Sequence, residues 1–388
     1  RAAAPRPARR GGTVEELVEG TVEETERGPL LVVRRRYPLG HAHGTQSLAA
    51  AGALDPESLA MLGRAEAPPD GRRLLYLDTE TTGLAGGTGT YVFLVGAGFV
   101  DGDEFEVRQY FMRDLDEEPA LLAALEGLLA GFEGLVTYNG TGFDLPLLET
   151  RFVLGRRRWP IDRFHLDLLG SARRLWRERL PDCRLGTVEQ NVLRFHRTDD
   201  LPGALIPAVY FDYLRRKHPG ELPRVFEHNR HDILSLAALT GWVAEAATRA
   251  PAGDVEPDEL AGLGLLWEAR DAERGEACFR RALASGLAGA GRARLLARLA
   301  WREKRRARWT EARALWDELA RAQRVFDPRP WEEMAKIDEH RLRDWSGAQA
   351  IVREALARAD ADRASEAVCA LLGHRLQRLE RRLARRGD

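Results

Sequence analysis

The run Leu74-Leu75-Tyr76-Leu77-Asp78-Thr79-Glu80 constrains the fold more than any other stretch of the chain. Four consecutive apolar residues read as a strand buried on both faces, and so as a central strand of a sheet. The run ends in carboxylates at i and i+2, which an extended strand turns to one face. Two like charges side by side repel, and burying them unpaired is costly. A divalent cation resolves that conflict, because Mg²⁺ takes one or two carboxylates plus the oxygens of a bound molecule. The alternative is a strand that ends in a solvated acidic turn, and Asp-x-Glu by itself does not choose between the two.

The flanking sequence supplies the rest of a sheet. Tyr91–Val100 and Glu104–Met112 read as strands joined by the hairpin signal Asp101-Gly102-Asp103. Pro119–Leu129 reads as an amphipathic helix, Gly134–Asn139 as a buried strand, Asp144–Leu154 as a second helix and Phe164–Leu169 as a fifth strand. From Gly186 to Ala247 the periodicity is helical. The expectation for residues 71–250 is an α/β domain with a mixed five-stranded sheet flanked by helices. Residues 1–70 read as an N-terminal extension, partly disordered, with a short strand at Leu30–Val33 and a loop at Tyr37–Gly44. The breaker cluster Ala67-Pro68-Pro69-Asp70-Gly71 reads as its boundary. His41 and His43 would share a strand face, but no Cys or carboxylate stands nearby to complete a metal site.

Residues 251–388 read as all-helical and repetitive. Trp309-x-x-Ala312-x-x-x-Trp316-x-x-Leu319 matches Trp345-x-x-Ala348-x-x-x-Val352-x-x-Ala355, with a weaker copy at Ala272-x-x-Gly275-x-x-x-Phe279-x-x-Ala282. The offsets of 36 and 37 residues and the small and aromatic positions resemble tetratricopeptide helix pairs, with Ala364–Arg386 as a capping helix. A generic helical bundle is the alternative.

Length and charge set further bounds. The 388 residues suit two or three domains, and a net charge of -1 gives no global basic footprint. The charge is uneven: residues 255–388 carry 28 basic and 23 acidic side chains, against 31 and 37 in the remainder. Three cysteines far apart (Cys183, Cys278, Cys369) make neither a disulfide framework nor a zinc site, which fits a reducing cytoplasm. No apolar run approaches the length of a membrane span.

Two further acids complete a constellation. Asp144 opens a helix directly after the Gly134–Asn139 strand. A plain helix cap is one reading of it. If that strand lies parallel to and beside Leu74–Asp78, Asp144 instead emerges at the same sheet edge as Asp78 and Glu80, where sites of open sheets gather. Late in the chain, His228 and Asp232 stand four apart on one helix face. Asp232 faces the same way as Leu236 and Leu239, which turns it inward, and a buried Asp needs a partner.

Asp78-x-Glu80, Asn139-x-x-x-Phe143-Asp144 and His228-x-x-x-Asp232 resemble the three motifs of the DEDD superfamily of 3′→5′ exonucleases, on a ribonuclease-H-like fold. The second, with Tyr138 and Pro146, is similar to that of the proofreading domains of B-family DNA polymerases. The run Glu80-Thr81-Thr82-Gly83 and its continuation to Gly96, with helical repeats behind it, resembles the bacterial YprB-like family.

That resemblance implies hydrolysis of the phosphodiester bonds of single-stranded DNA or RNA by a two-metal mechanism, with two Mg²⁺ or Mn²⁺ ions as cofactors. It implies that Asp78, Glu80 and Asp232 hold one ion and that Asp78 and Asp144 hold the other. The general base of such a site is a Tyr four residues before the last Asp or a His five before it. Here His228 stands four before Asp232 and Glu227 five before, so this chain has the spacing of one class and the residue type of the other. His228 is the expected base, with His231 as the alternative. Thr81, Thr82, Gly83, Asn139 and Phe143 are the expected substrate contacts. The connection Gly83–Gly89 either brings backbone close to the terminal nucleotide or is a structural turn. Basic patches at Arg156–Trp159, Arg302–Trp309 and Arg375–Arg386 are candidates for the strand path or plain solvated faces. Two other functions stand beside the exonuclease: a repeat scaffold that binds a protein partner and carries a vestigial nuclease fold, and an endonuclease for structured nucleic acid.

Overall fold

The apolar run Leu74–Leu77 lies inside a seven-stranded mixed sheet of the computed structural model, which describes residues 12–83, 88–160 and 164–387. The strands are β1 Thr21–Thr25, β2 Gly28–Pro38, β3 Ala42–His43, β4 Gln46–Ser47, β5 Leu74–Thr81, β6 Val92–Asp101, β7 Glu104–Phe111, β8 Gly134–Thr137 and β9 Phe164–Asp167. The large sheet runs β1-β2-β7-β6-β5-β8-β9, and β3 and β4 form a separate hairpin. Pairs from β1 to β5 are antiparallel, while β5–β8 and β8–β9 are parallel. The strand carrying Asp78 and the strand leading to Asp144 are therefore parallel neighbours, in register Leu74–Gly134 to Tyr76–Val136.

Two strands more than the expected five are present, and both come from the segment read as an extension. β2 pairs with β7 from Leu31–Phe111 to Pro38–Glu104, well past the apolar tetrad Leu30–Val33. The triplet Arg34-Arg35-Arg36 hides the strand in the sequence, because it replaces alternation with charge. In the fold these arginines are partnered: Arg34 donates to Glu23 at 2.8 Å, Arg35 meets Glu19 at 2.7 Å and Arg36 meets Glu106 at 2.9 Å. Nor do Pro68 and Pro69 separate two bodies. One compact unit takes in the residues up to Val255 together with Gly262–Gly275, and a second takes in Glu256–Ala261 and the residues from Glu276 on. Residues 1–11 lie outside the described residues.

Helices α1 Val14–Val18, α2 Ala49–Gly52, α3 Pro56–Gly63, α4 Glu118–Leu129, α5 Asp144–Leu154, α6 Leu168–Trp176, α7 Leu185–Val188, α8 Ile206–Arg216 and α9 Leu222–Arg249 complete the first unit up to residue 249. α9 lies across β5, β6 and β7. Leu75 and Leu77 of β5 point the other way, into a core shared with Leu121, Leu125 and Leu129 of α4 and Leu148 and Phe152 of α5. Two glycines let α9 approach. A Cβ at Gly96 would stand 2.3 Å from Oδ1 of Asn229, and one at Gly98 would stand 2.4 Å from Cγ2 of Ile233. Gly96 and Gly98 share a face of β6, and Asn229 and Ile233 share a face of α9. The spacing Gly-x-Gly thus seats the helix by contact and fixes its rotation.

Beyond residue 256 come α10 Pro257–Trp267, α11 Ala272–Ala284, α12 Gly289–Arg305, α13 Trp309–Ala322, α14 Pro328–Ile337, α15 Trp345–Ala361 and α16 Glu366–Gly387. From α12 onward each helix packs on the next. The repeat read in the sequence falls on helix starts: Ala272, Trp309 and Trp345 open α11, α13 and α15. Its periodic positions form the buried stripes, with Ala312, Trp316, Leu319, Ala348, Val352 and Ala355 in one core. Six residues before each repeat tryptophan stands a buried glutamate. Glu303 meets Arg280 at 2.7 Å and Arg308 at 3.4 Å, and Glu339 meets Arg375 at 3.2 Å, Arg378 at 2.7 Å and Arg382 at 3.4 Å. Part of both basic patches is therefore engaged within the fold.

Candidate active site

β5 delivers Asp78 and Glu80 to the face covered by α9, with a register shift between Glu80 and Thr81 at the strand's end. α9 delivers His228 and Asp232 to the same place, and β8 leads through a tight turn to Asp144 on the first residue of α5. Ligating atoms of Glu80, His228 and Asp232 lie within 4.8 Å of one another.

The electrostatics of the cluster follow from crowding. Burial, and after it the carboxylates of Asp232, Glu80 and Asp144, raise the Asp78 carboxyl well above the usual range, against one hydrogen bond from Asn229. Glu80 is raised in the same way, by burial and then by Asp232 and Asp144, with Arg197 pulling it back. Burial pushes Asp144 up to about 6, against its bond with Thr79. Acids that repel one another at short range in a partly dry site are a donor set built for added positive charge.

The protein holds one oxygen of each aspartate and so orients the group. Asn229 Nδ2 donates to Oδ2 of Asp78 at 2.9 Å. Thr79 Oγ1 donates to Oδ1 of Asp144 at 2.5 Å. Arg197 donates to Oδ1 of Asp232. Asn229 is itself held, because its Oδ1 accepts from Gln109 Nε2 at 2.9 Å. Glu80, His228 and Asp232 fit a divalent cation in donor type and mutual distance, and the carboxylates of Asp78 and Asp144 add negative charge beside them.

Asp144 is not a plain cap, since it occupies the first helical position and its side chain reaches back to β5 rather than along the helix. The two histidines part company. His228 Nε2 lies 3.5 Å from Oδ2 of Asp232. His231 turns away, with Nε2 3.1 Å from Glu227 and its ring packed edge-on against Phe195. His43 is buried and bonded to Ser235 at 2.7 Å, and burial pulls its imidazole down to about 3, as befits a core histidine rather than a ligand.

The expected substrate contacts are placed as follows. Thr81 is buried and donates to the carbonyl of Gly83 at 2.9 Å. Thr82 accepts from the Tyr91 amide at 2.9 Å, so both hydroxyls brace the turn that follows β5. Asn139 is exposed in the left-handed region (φ 65°), where the Asp167 carboxylate holds its amide at 2.8 Å. Phe143 is half-buried immediately before α5. Residues 84–87 of the Gly83–Gly89 connection lie outside the described residues. At its far end Arg151 donates to the carbonyl of Thr88 at 2.8 Å and stacks over Tyr91 at 4.1 Å.

Sequence reasoning missed Thr79, Glu189, Arg197, Asp200 and Asn229. Asn229 sits between His228 and Arg230 with nothing in its type to mark it. Arg197 and Asp200 lie roughly 30 residues before His228, in a stretch read as helical that the structure makes a loop over residues 194–202, and they meet His228 only in space.

Over 364 residues the chain is 31% identical to the "Uncharacterized protein YprB" of Bacillus subtilis (strain 168), an alignment spanning 91% of this chain and 86% of that protein. The chain belongs to the YprB family. A family model described as the RNase_H superfamily matches residues 75–244, the span from β5 through most of α9. The site of this YprB-family member thus falls wholly inside the ribonuclease-H-like part. The family B DNA polymerase of the hyperthermophilic archaeon Pyrobaculum calidifontis aligns with a TM-score of 0.37 and 17% identity, over 66% of this chain and 34% of that chain. The chain therefore spans about a third of the polymerase's length, a likeness too loose to carry function. No helix among the described residues is long and apolar enough to cross a membrane.

Proposed function

We propose that the protein is a divalent-metal-dependent nuclease of the cytoplasm that removes nucleotides from the 3′ ends of single-stranded DNA or RNA. The observation that carries the reading is the convergence of Asp78, Glu80, Asp144 and Asp232, from three separate parts of the chain, at one edge of a ribonuclease-H-like sheet beside His228. Asp78, Glu80 and Asp232 would hold one Mg²⁺ or Mn²⁺, and Asp78 and Asp144 a second. When bound, such ions supply Lewis acidity and charge neutralisation at a phosphodiester.

The remaining work falls to the chain's own side chains. Asn229, Thr79 and Arg197 fix the planes of the three aspartates, so the site is ordered before substrate arrives. His228 Nε2 would take a proton from the water whose oxygen bonds to phosphorus as the P–O3′ bond breaks, and the leaving 3′-oxygen would take a proton from solvent. The turn held by Thr81 and Thr82, with Gly83, Asn139 and Phe143, lies where β5 and β8 end and would receive the terminal nucleotide. The helical repeats are a tetratricopeptide-like surface for a protein partner or a longer strand.

End-labelled single- and double-stranded DNA and RNA, incubated with Mg²⁺ or Mn²⁺, test the reading. Stepwise shortening from the 3′ end is expected. Internal cuts in structured substrates would transfer the activity to an endonuclease, and no hydrolysis in either metal would leave a binding scaffold.

A further inference from the structure

His228 has two polar neighbours besides the acids of the site, and their distances are unequal. Its Nδ1 lies 2.8 Å from Oδ1 of Asp200 and 3.4 Å from Nη1 of Arg197. The first contact asks Nδ1 to carry a proton and donate it; the second asks Nδ1 to accept. A separation of 2.8 Å is that of a charge-assisted hydrogen bond, while 3.4 Å is at the edge of one. Arg197 is anchored through its other nitrogens, Nε donating to Glu189 at 2.9 Å and Nη2 to Asp232, and its Nη1 lies 3.5 Å from the Asp200 carboxylate. The shorter contact favours a proton on Nδ1, which would leave the Nε2 lone pair toward Asp232 and Glu80.

Asp200 is placed for this by the loop that carries it. Arg224 stands one turn before His228 on α9 and donates to the carbonyl of Asp199 at 2.9 Å and of Asp200 at 3.2 Å. Arg197 closes the other side, 3.5 Å from Asp200. The loop is thus pinned along the row Arg224, His228, Asp232 of one helix face. The Asp200 side chain keeps 29% of its exposure, so no demand of core packing explains its direction.

Resting on the nuclease reading above, we propose that Asp200 is the positioning residue of the general base: it holds His228 in the Nδ1-protonated tautomer with Nε2 open to the reacting water. A residue that acts in this way orients an imidazole without touching substrate.

The test uses the full chain and two readouts. Long-range ¹H–¹⁵N spectra of the metal-free protein, in buffer alkaline enough to keep imidazoles neutral, report the tautomer of His228, its signals assigned by their loss in His228→Gln. Wild type should show Nδ1–H, Asp200→Ala should move the proton to Nε2, and Asp200→Asn should keep Nδ1–H because its amide oxygen still accepts. With Mg²⁺ and a short oligonucleotide, Asp200→Ala should lower kcat by about 10–100-fold at unchanged KM, the usual loss for an orienting partner. Asp200→Asn should recover much of it. Nδ1–H lost only when Asp200 cannot accept supports the assignment. Wild type with the proton on Nε2 overturns it, as does Asp200→Ala with either tautomer or kcat unchanged. The wild-type spectrum decides the matter even if Asp200→Ala fails to fold. Because the spectra need neither metal nor substrate, a protein that hydrolyses nothing would sink the nuclease reading and leave the tautomer to be judged on its own.

Discussion

Asn229 reaches Asp78 across the face of Gly96: its Nδ2 donates to the carboxylate at 2.9 Å, while a Cβ on Gly96 would sit 2.3 Å from its Oδ1. Gly96 is the register partner of Asp78 on the neighbouring strand, so one absent side chain makes room for the residue that orients Asp78. Asn229 is fully buried and bonded on both sides, and it cannot swing clear. Gly96→Ala should therefore cost about 1–3 kcal/mol, the range for overpacking a core. Urea unfolding measures it. Wild-type stability in this variant would mean that α9 is not seated by contact.

The raised acids make a second prediction, whose sign is that of a proton bound more tightly in the fold. A carboxyl raised by folding contributes stability that is complete below its unfolded pKa and lost as pH rises through the folded one. For Asp144 the window runs from 3.8 to about 6. Asp78 and Glu80 extend it upward, since both are raised well above their ordinary values. Mg²⁺ binds the ionised set, so the gain in melting temperature on adding it should grow with pH across this window. A gain that is flat with pH, or absent, would remove the quartet as a cation site.

Asp78→Asn separates chemistry from folding. The amide keeps an oxygen for Asn229 but removes a charge from the cluster. Hydrolysis should fall by about 10²–10³-fold or more, the scale of losing one electrostatic group from a site. Metal-free stability at neutral pH should rise, because the repulsion from Asp232, Glu80 and Asp144 is relieved. Melting curves and oligonucleotide assays on the same preparation check both halves. Wild-type turnover, or a drop in metal-free stability, counts against the assignment.

What the sequence disclosed and what it hid divide by distance along the chain. The Leu74–Leu77 run, the Asp101-Gly102-Asp103 hairpin and the helix opened by Asp144 are local patterns, and each is legible because neighbouring residues set strand or helix directly. Only the Leu30–Val33 part of β2 was read, because Arg34-Arg35-Arg36 breaks the apolar alternation, and only pairing with β7 and partners such as Glu106 make a strand there comfortable. The acids were legible as types at known spacings. Arg197 and Asp200 were not, because the stretch that carries them reads as helix and folds as a loop, whose partners exist only once α9 and β5 are in place.

Arg197 offers a measurement on that hidden part. Its side chain retains 8% exposure and bridges Asp232 to Glu189, whose own carboxylate retains 1%. Burial raises the Glu189 carboxyl, and the bond to Arg197 works against that. Arg197→Ala strands a buried charge and should cost about 3–5 kcal/mol. The double variant Arg197→Ala/Glu189→Gln should recover a large part of it. If the double variant is no more stable than the single one, Glu189 is not what Arg197 holds.

The arginines of α16 test whether the basic patches hold nucleic acid. Arg375, Arg378 and Arg382 converge on Glu339, which is buried to 1% exposure of its side chain. Two roles compete for them. As partners of Glu339 they neutralise a desolvated charge, and replacing all three with glutamine leaves that charge uncompensated, at a cost of about 3–5 kcal/mol. As phosphate contacts they would release counterions on binding, and each would add ~0.7 to the log–log salt slope on single strands. Arg378 and Arg382 stay half-exposed, so geometry alone leaves them able to reach a phosphate. The energetic demand of Glu339 favours the first role, since pulling a guanidinium toward solvent would bare the carboxylate. The triple glutamine variant should therefore melt at a lower temperature and bind a long single-stranded oligonucleotide with the salt slope of the wild type. A slope flattened by about 2, the sum of three contacts, would reverse the assignment and place α16 on the strand path.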